Sequence, residues 1–218
     1  MRTRTRGAVV GVLLAAGGGR RLGGRPKALL RGGGLLLVER GVAALRDGGC
    51  ARVHVVLGAR SHEVRRRVEE RSAGTDGSRH GVTGLAESVT WVENPLWESG
   101  MGSSLRAGLT SLDGTGAGAA LICLVDQPGI GAAAVARVAR AYQGSGSLAC
   151  AAYEGRRGHP VLLGADRWPA VAASAVGDRG ARGYLREREA ELTLVECGDV
   201  AQPYDIDTAA DLGRLDTL

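Results

Sequence analysis

Two cations among glycines carry the first chemical signal. In the stretch VVGVLLAAGGGRRLGGRPK, Val9 to Lys27, an apolar run gives way to Gly17, Gly18 and Gly19, then to Arg21 and finally to Lys27. Glycines let backbone N–H groups approach an anion and adopt positive φ at no steric cost. An arginine offers a bidentate fork and a lysine a compact point charge, both suited to phosphate oxygens. Pro26 stiffens the backbone just ahead of Lys27. The stretch therefore reads as a phosphate cradle. It is not a P-loop, because Ala28 stands where Ser or Thr must follow the lysine. Nor is it a Rossmann fingerprint, because Leu22 stands where the last glycine belongs.

The acids that answer these cations lie far along the chain. Asp126, in LVDQP, follows the apolar run Ala119 to Val125. A carboxylate at the carboxyl end of a buried strand, beside a phosphate loop, is well placed to hold Mg²⁺. Asp205 and Asp207, in YDIDT, are further metal candidates; the residues leave open which faces the metal and which caps the following helix. In NPLWESGMGSSL, Asn94 to Leu105, Gly100 allows a tight backbone, and Ser103 and Ser104 open a helix whose N-terminus suits an anion or polar group. His159, in GHP, reads either as a base or as a structural histidine. Arg179 and Arg182 flank Gly180 and could take the phosphate of a second substrate.

These residues need a scaffold that brings distant segments to one edge. Short apolar runs at 8–14, 53–57, 88–92, 119–125 and 148–153 read as buried strands. Helical patterns occupy 35–46, 61–70, 103–112 and 131–142, and the polar, glycine-rich stretch 72–87 reads as a surface loop. This alternation predicts a three-layer α/β/α sandwich with a mostly parallel, Rossmann-like sheet, in which the run at 119–125 is central. In such sheets ligands lie beyond the carboxyl ends of the strands, where the clusters after 14, 92 and 125 would meet.

At 218 residues the chain is expected to form a single domain, with a nucleotide-binding part over about 8–130 and an acceptor-binding part over about 145–200. It has no Phe, so Leu, Val and Ala must fill the core. The net charge of +5 suits a polyanionic small ligand; no basic run alternates with aromatics, which argues against nucleic acid. The first apolar run is far shorter than the ~20 residues of a membrane span, and arginines follow it at once, against a signal peptide. Four scattered cysteines without a Cys-x-x-Cys pair suit a cytoplasmic protein and argue against structural zinc.

The pattern L-A-A-G-x-G-x-R-x-G-x-x-P-K resembles the signature loop of nucleotidyltransferases that make nucleoside-diphosphate sugars and molybdopterin dinucleotides. The segments N-P-x-W-x-x-G-M-G-S-S-L, G-H-P and G-D-R-G-A-R, with the closing D-I-D-T, resemble the molybdopterin cytidylyltransferase branch. The resemblance spans about Gly11 to Leu212. It implies a nucleoside triphosphate held by Leu14, Ala15, Ala16, Gly17, Gly18, Gly19, Arg21, Lys27, Gly100, Ser103 and Ser104. It implies Lys27, Arg21 and Asp126 as the catalytic set, and Mg²⁺ on Asp126 with Asp205 or Asp207. It places a phosphorylated pterin-type acceptor near His159, Arg179 and Arg182, with a molybdoenzyme or its chaperone as protein partner. Ala16 stands where guanylyl-transferring relatives carry glycine, which favours CTP. One departure is Gly32 to Gly34, where the family has a more polar turn followed by a proline. The same branch holds proteins labelled as oxidoreductases of nicotine degradation. Two alternatives therefore stand beside the transferase: an NAD(P)-dependent oxidoreductase, and a non-catalytic molybdenum-cofactor chaperone.

Overall fold

The computed structural model describes residues 7–73 and 89–218. The loop expected over 72–87 falls almost wholly outside them. Nine strands alternate with six α-helices among the described residues. The strands are β1 (Val9–Leu14), β2 (Arg31–Gly32), β3 (Leu35–Leu36), β4 (Val53–Leu57), β5 (Val89–Glu93), β6 (Ala119–Leu124), β7 (Leu148–Tyr153), β8 (Arg156–Gly164) and β9 (Thr193–Glu196). The helices are α1 (Leu37–Asp47), α2 (Ser61–Ala73), α3 (Met101–Thr110), α4 (Ala132–Ala139), α5 (Trp168–Ser174) and α6 (Arg182–Glu187).

Seven strands form one sheet in the order β5-β4-β1-β6-β8-β7-β9, and β2 with β3 make a small hairpin. β1 pairs in parallel with both β4 and β6, and β4 in parallel with β5. β6 sits near the middle, as its apolar run predicts. β8 runs antiparallel to both β6 and β7, and β9 is parallel to β7. Neither β8 nor β9 was expected. β8 begins with Arg156, Arg157 and Gly158, whose polarity hides an apolar continuation from Pro160 to Leu163; β9 is short and mostly exposed.

Successive residues of β1 serve opposite faces. Leu13 packs with Leu37, Leu45 and Leu57 beneath α1, whereas Val12 and Leu14 pack with Leu105 and Leu109 beneath α3. The helices approach closely because small residues face the strand. A Cβ on Gly41 of α1 would lie 2.8 Å from the Leu13 methyls, and one on Gly108 of α3 would lie 2.7 Å from Val12. That is how a core without Phe fills its volume: the layers come together rather than the side chains growing. The ion pair between buried Glu39 and half-buried Arg71, at 2.8 Å, ties α1 to α2, and Glu39 also caps the Leu36 N–H. Among the described residues no helix is long and apolar enough to cross a membrane.

Candidate active site

The loop after β1 folds back on itself. Gly19 has φ 62° and accepts hydrogen bonds at its carbonyl from Leu22 N–H (2.8 Å) and Gly24 N–H (3.0 Å). A Cβ there would collide with the Arg25 carbonyl, so both φ and space demand glycine. Gly17 is different. It is exposed and a Cβ on it would meet nothing within 4 Å. Its backbone is thus open to solvent past the end of β1. The chain then turns at Pro26 (φ −56°) into a short 3-10 turn at Lys27–Leu29, which aims Lys27 back toward the sheet edge.

There Lys27 meets the two acids. Its Nζ donates to Asp126 Oδ2 at 2.7 Å and to Asp207 Oδ1 at 2.5 Å, across 99 and 180 residues of sequence. Arg21 reaches the other Asp207 oxygen at 3.3 Å. Burial works against the Lys27 charge, but ionic and hydrogen-bond contacts with Asp126 and then Asp207 outweigh it and raise its pKa. Asp126 stands just past the end of β6, and its carbonyl accepts the Ile206 N–H at 2.8 Å. That bond draws the closing segment against the β6 edge. Asp211 accepts from the N–H groups of Asp207 and Thr208 and from the Thr208 hydroxyl, which orients the Asp207 carboxylate. Asp205 takes another partner, Gln127 Nε2 at 2.8 Å. Of the two late acids, Asp207 is the one that converges with Asp126.

The donor set fits a hard divalent cation. Two carboxylate oxygens lie within 2.7 Å of one point, now held by an ammonium, and both groups are partly open to water. No cluster of three or more His, Cys, Asp or Glu ligands occurs among the described residues; two carboxylates completed by water and phosphate oxygens are usual for Mg²⁺.

The second cluster behaves otherwise than its sequence suggests. The helix begins at Met101, so Ser103 and Ser104 lie inside its first turn. Both are buried, and both hydroxyls accept from Asn94 Nδ2, at 2.8 and 3.0 Å. Ser103 Oγ also reaches the carbonyls of Leu96 and Gly100. The serines therefore hold the 94–100 loop in shape. The helix N-terminus faces an acid of this same chain: Met101 N–H points at Asp178 Oδ1, 3.4 Å away. Gly100, at φ 106°, leaves room for that approach. Trp97 of this loop lies over Gly18 of the first cluster and over Gly58 after β4. A Cβ on Gly18 would stand 3.0 Å from its indole, and one on Gly58 would stand 2.4 Å from its Cβ. Sequence reasoning passed over both Trp97 and Asp178, although each sits in a motif it quoted. Their glycine partners, Gly18 and Gly58 for Trp97 and Gly100 for Asp178, were the available signal.

Leu14, Ala15 and Ala16 are buried and tied by backbone: the Leu14 carbonyl accepts from Val125, Ala15 N–H donates to Val56, and the Ala16 carbonyl accepts from Ala59. Arg179 and Arg182 are exposed. His159, on β8, has its pKa pulled down to about 4, first by burial and then by Arg182, with Asp205 acting in the opposite sense. It is neutral at pH 7 and is not a cationic grip for phosphate. Lys27 and Asp126 thus meet directly, whereas His159 feels the charges of Arg182 and Asp205 instead.

Comparison with known proteins places this geometry in context. A family model described as the MobA-like NTP transferase domain matches residues 11–192. The nicotine blue oxidoreductase of Paenarthrobacter nicotinovorans is 38% identical over 214 residues, covering 95% of this chain and 96% of that protein. Among solved structures, a nucleotidyl transferase from Methanothermobacter thermautotroptrophicus superposes with a TM-score of 0.74 at 23% identity, covering 96% of each chain. Mycobacterium tuberculosis Rv0371c in complex with manganese superposes with a TM-score of 0.67 at 23% identity, covering 98% of this chain and 100% of that one.

Proposed function

Because the chain belongs to the MobA-like NTP transferase domain family, we propose that it is a metal-dependent nucleotidyltransferase that moves CMP from CTP to a phosphorylated pterin acceptor, molybdopterin or its molybdenum form. The observation that carries this reading is the meeting of Lys27, Arg21, Asp126 and Asp207 beneath an open glycine loop. Phosphoryl-type transfer asks a protein chiefly for positioning and charge neutralisation. Arg21 and Lys27 leave the carboxylates and take the triphosphate oxygens, aided by backbone N–H groups near Gly17. A divalent cation, Mg²⁺ in this reading, would be held by Asp126 and Asp207 and would supply neutralisation of the charge that develops on the transferring group. An oxygen of the acceptor phosphate forms a bond to the α-phosphorus. The bond from that phosphorus to the bridging oxygen breaks, and pyrophosphate leaves with the electron pair. No base is needed, because the attacking phosphate is already ionised at pH 7. His159, Arg179 and Arg182 are the acceptor side in this scheme, with His159 acting as a neutral hydrogen-bonding group. A molybdoenzyme or its chaperone would receive the product. Four free, buried cysteines accord with a reducing cytoplasm.

The oxidoreductase reading has one specific support, the 38% identity to the nicotine blue oxidoreductase. Against it stands the loop. A dinucleotide pyrophosphate wants a helix N-terminus directly after the first strand. Here 3-10 turns and a hairpin intervene, and the first α-helix begins only at Leu37. A pure chaperone would need neither Lys27 nor the paired acids.

The deciding experiment measures pyrophosphate release from each of the four triphosphates with Mg²⁺, with and without molybdopterin, beside NAD(P)H oxidation with nicotine blue. CTP- and molybdopterin-dependent release is expected, and Asp126→Ala abolishes it. Nicotine-blue-dependent oxidation without any release would overturn the reading. CTP preference is expected to weaken in Ala16→Gly. Losing that Cβ widens the turn at the end of β1, and a single methyl in a pocket is worth about 1–3 kcal/mol. Competition between CTP and GTP on both proteins checks it; a wild type that prefers GTP defeats the base assignment alone.

A further inference from the structure

The glycine-rich loop presents cations on two sides, and the proposed transferase uses only one. Lys27 turns toward the acids. Arg25, two residues earlier, lines a separate cleft of about 230 Å³ between the loop, the β2–β3 hairpin and α2. Arg31 enters from the hairpin, and Arg60, Arg67 and Arg71 enter from the α2 side. Leu29 and Leu36 form an apolar floor. The two lining carboxylates, Glu63 and Glu70, do not balance five guanidinium groups. A third, Glu39, is buried behind Arg71.

Two of these arginines are held in place by other groups of the chain. Arg71 is fixed by Glu39 at 2.8 Å and by the Gly34 carbonyl at 2.8 Å, so its guanidinium is oriented before any ligand arrives. Arg60 sits in the left-handed region, with φ 54°, and is held to Glu63 at 2.5 Å. A non-glycine residue in that conformation is uncommon and costs free energy. Arg25 and Arg31 form no ion pair among the described residues. Two oriented and two uncommitted guanidinium groups over a partly apolar floor match a ligand with several anionic oxygens. A water takes ~30 Å³ of liquid, so the cleft has room for a group of diphosphate size.

We propose that this cleft is a second anion site, which takes a small phosphate-bearing ligand and is separate from the Lys27 centre. Guanidinium forks recognise phosphate oxygens in pairs, and an apolar floor lowers the local dielectric and strengthens each contact.

The test uses inorganic pyrophosphate as probe, without metal, and reads amide hydrogen exchange across the protein. Slowed exchange in residues 61–73 is expected in the wild type and, because the cleft is separate, also in Lys27→Ala. The double variant Arg31→Ser/Arg60→Ser is expected to lose that protection, with the half-saturating concentration raised at least tenfold. Both side chains are exposed, so circular dichroism should report an unchanged fold; if it does not, Arg31→Glu alone serves in its place. Absence of protection in the wild type would overturn the site. So would protection that survives the arginine changes, disappears with Lys27→Ala, or is reproduced by sodium chloride at matched ionic strength.

Discussion

Lys27 stands on both sides of the proposed chemistry. In the structure it neutralises Asp126 and Asp207; in the transferase reading those two acids hold the metal and Lys27 binds phosphate. Nucleotide and metal should therefore bind cooperatively: each removes a competitor from the other's partners. Lys27→Ala is expected to weaken triphosphate binding by about 1.5–3 kcal/mol, the range for hydrogen bonds to charged groups. Metal alone should bind the variant more tightly than the wild type, since no ammonium has to be displaced. Titration calorimetry with CTP and with Mg²⁺ separately checks both, and unchanged affinity for both would refute the assignment. The melting temperature should move little near neutral pH, because both acids remain open to water. The raised Lys27 pKa means that its own contribution to stability is present below the ordinary lysine value of 10.5 and is lost as pH rises beyond it.

At the scale of elements, two glycines at strand ends make opposite predictions. Gly58 follows β4, and a Cβ there meets Trp97 at 2.4 Å and the Ala16 carbonyl at 2.8 Å. Gly58→Ala is expected to push the 94–100 loop away and cost about 1–3 kcal/mol of stability, as overpacking does. Gly17 follows β1 and faces open space. Gly17→Ala should leave stability equal or slightly higher, since the unfolded chain loses freedom. It should nonetheless weaken triphosphate binding, because in the proposed reading the new methyl stands between the phosphate and the backbone N–H groups of the loop. Denaturant midpoints and nucleotide affinities of the two variants, measured side by side, give the answer; a Gly17→Ala protein with full affinity would place the phosphates elsewhere. The element boundaries show how local chemistry hides. The helix expected to be capped by Ser103 starts at Met101, because Gly100 and the Asp178 carboxylate supply the turn and the partner that a cap would otherwise give.

For the whole molecule, His159 links the site to acid stability. Its folded pKa of about 4 lies below the ordinary 6.5, so between these values the unfolded chain binds more protons than the folded one. Stability is expected to fall as pH drops through that window, by up to about 3 kcal/mol. His159→Gln should flatten this part of the profile in pH-resolved chemical denaturation; an unaltered slope would assign the acid sensitivity to other groups. What could be read from residues alone was whatever neighbours in sequence enforce. The apolar runs of β1, β4, β6 and β7, the glycine–arginine–lysine loop and the aspartate at the end of β6 all declare themselves within a few residues, because a buried strand and an anion-ready turn are local patterns. β8 and β9 did not, because an antiparallel return beside β6 depends on pairing partners rather than on composition. The choice between Asp205 and Asp207 was likewise closed to sequence. It is made by the hydrogen bond from Ile206 to Asp126, by Gln127 capturing Asp205, and by Lys27 reaching Asp207 from 180 residues away. Residue types determined which groups could do chemistry; contacts across the sheet edge decided which of them meet, since distance in space between remote segments is a property of the folded chain alone.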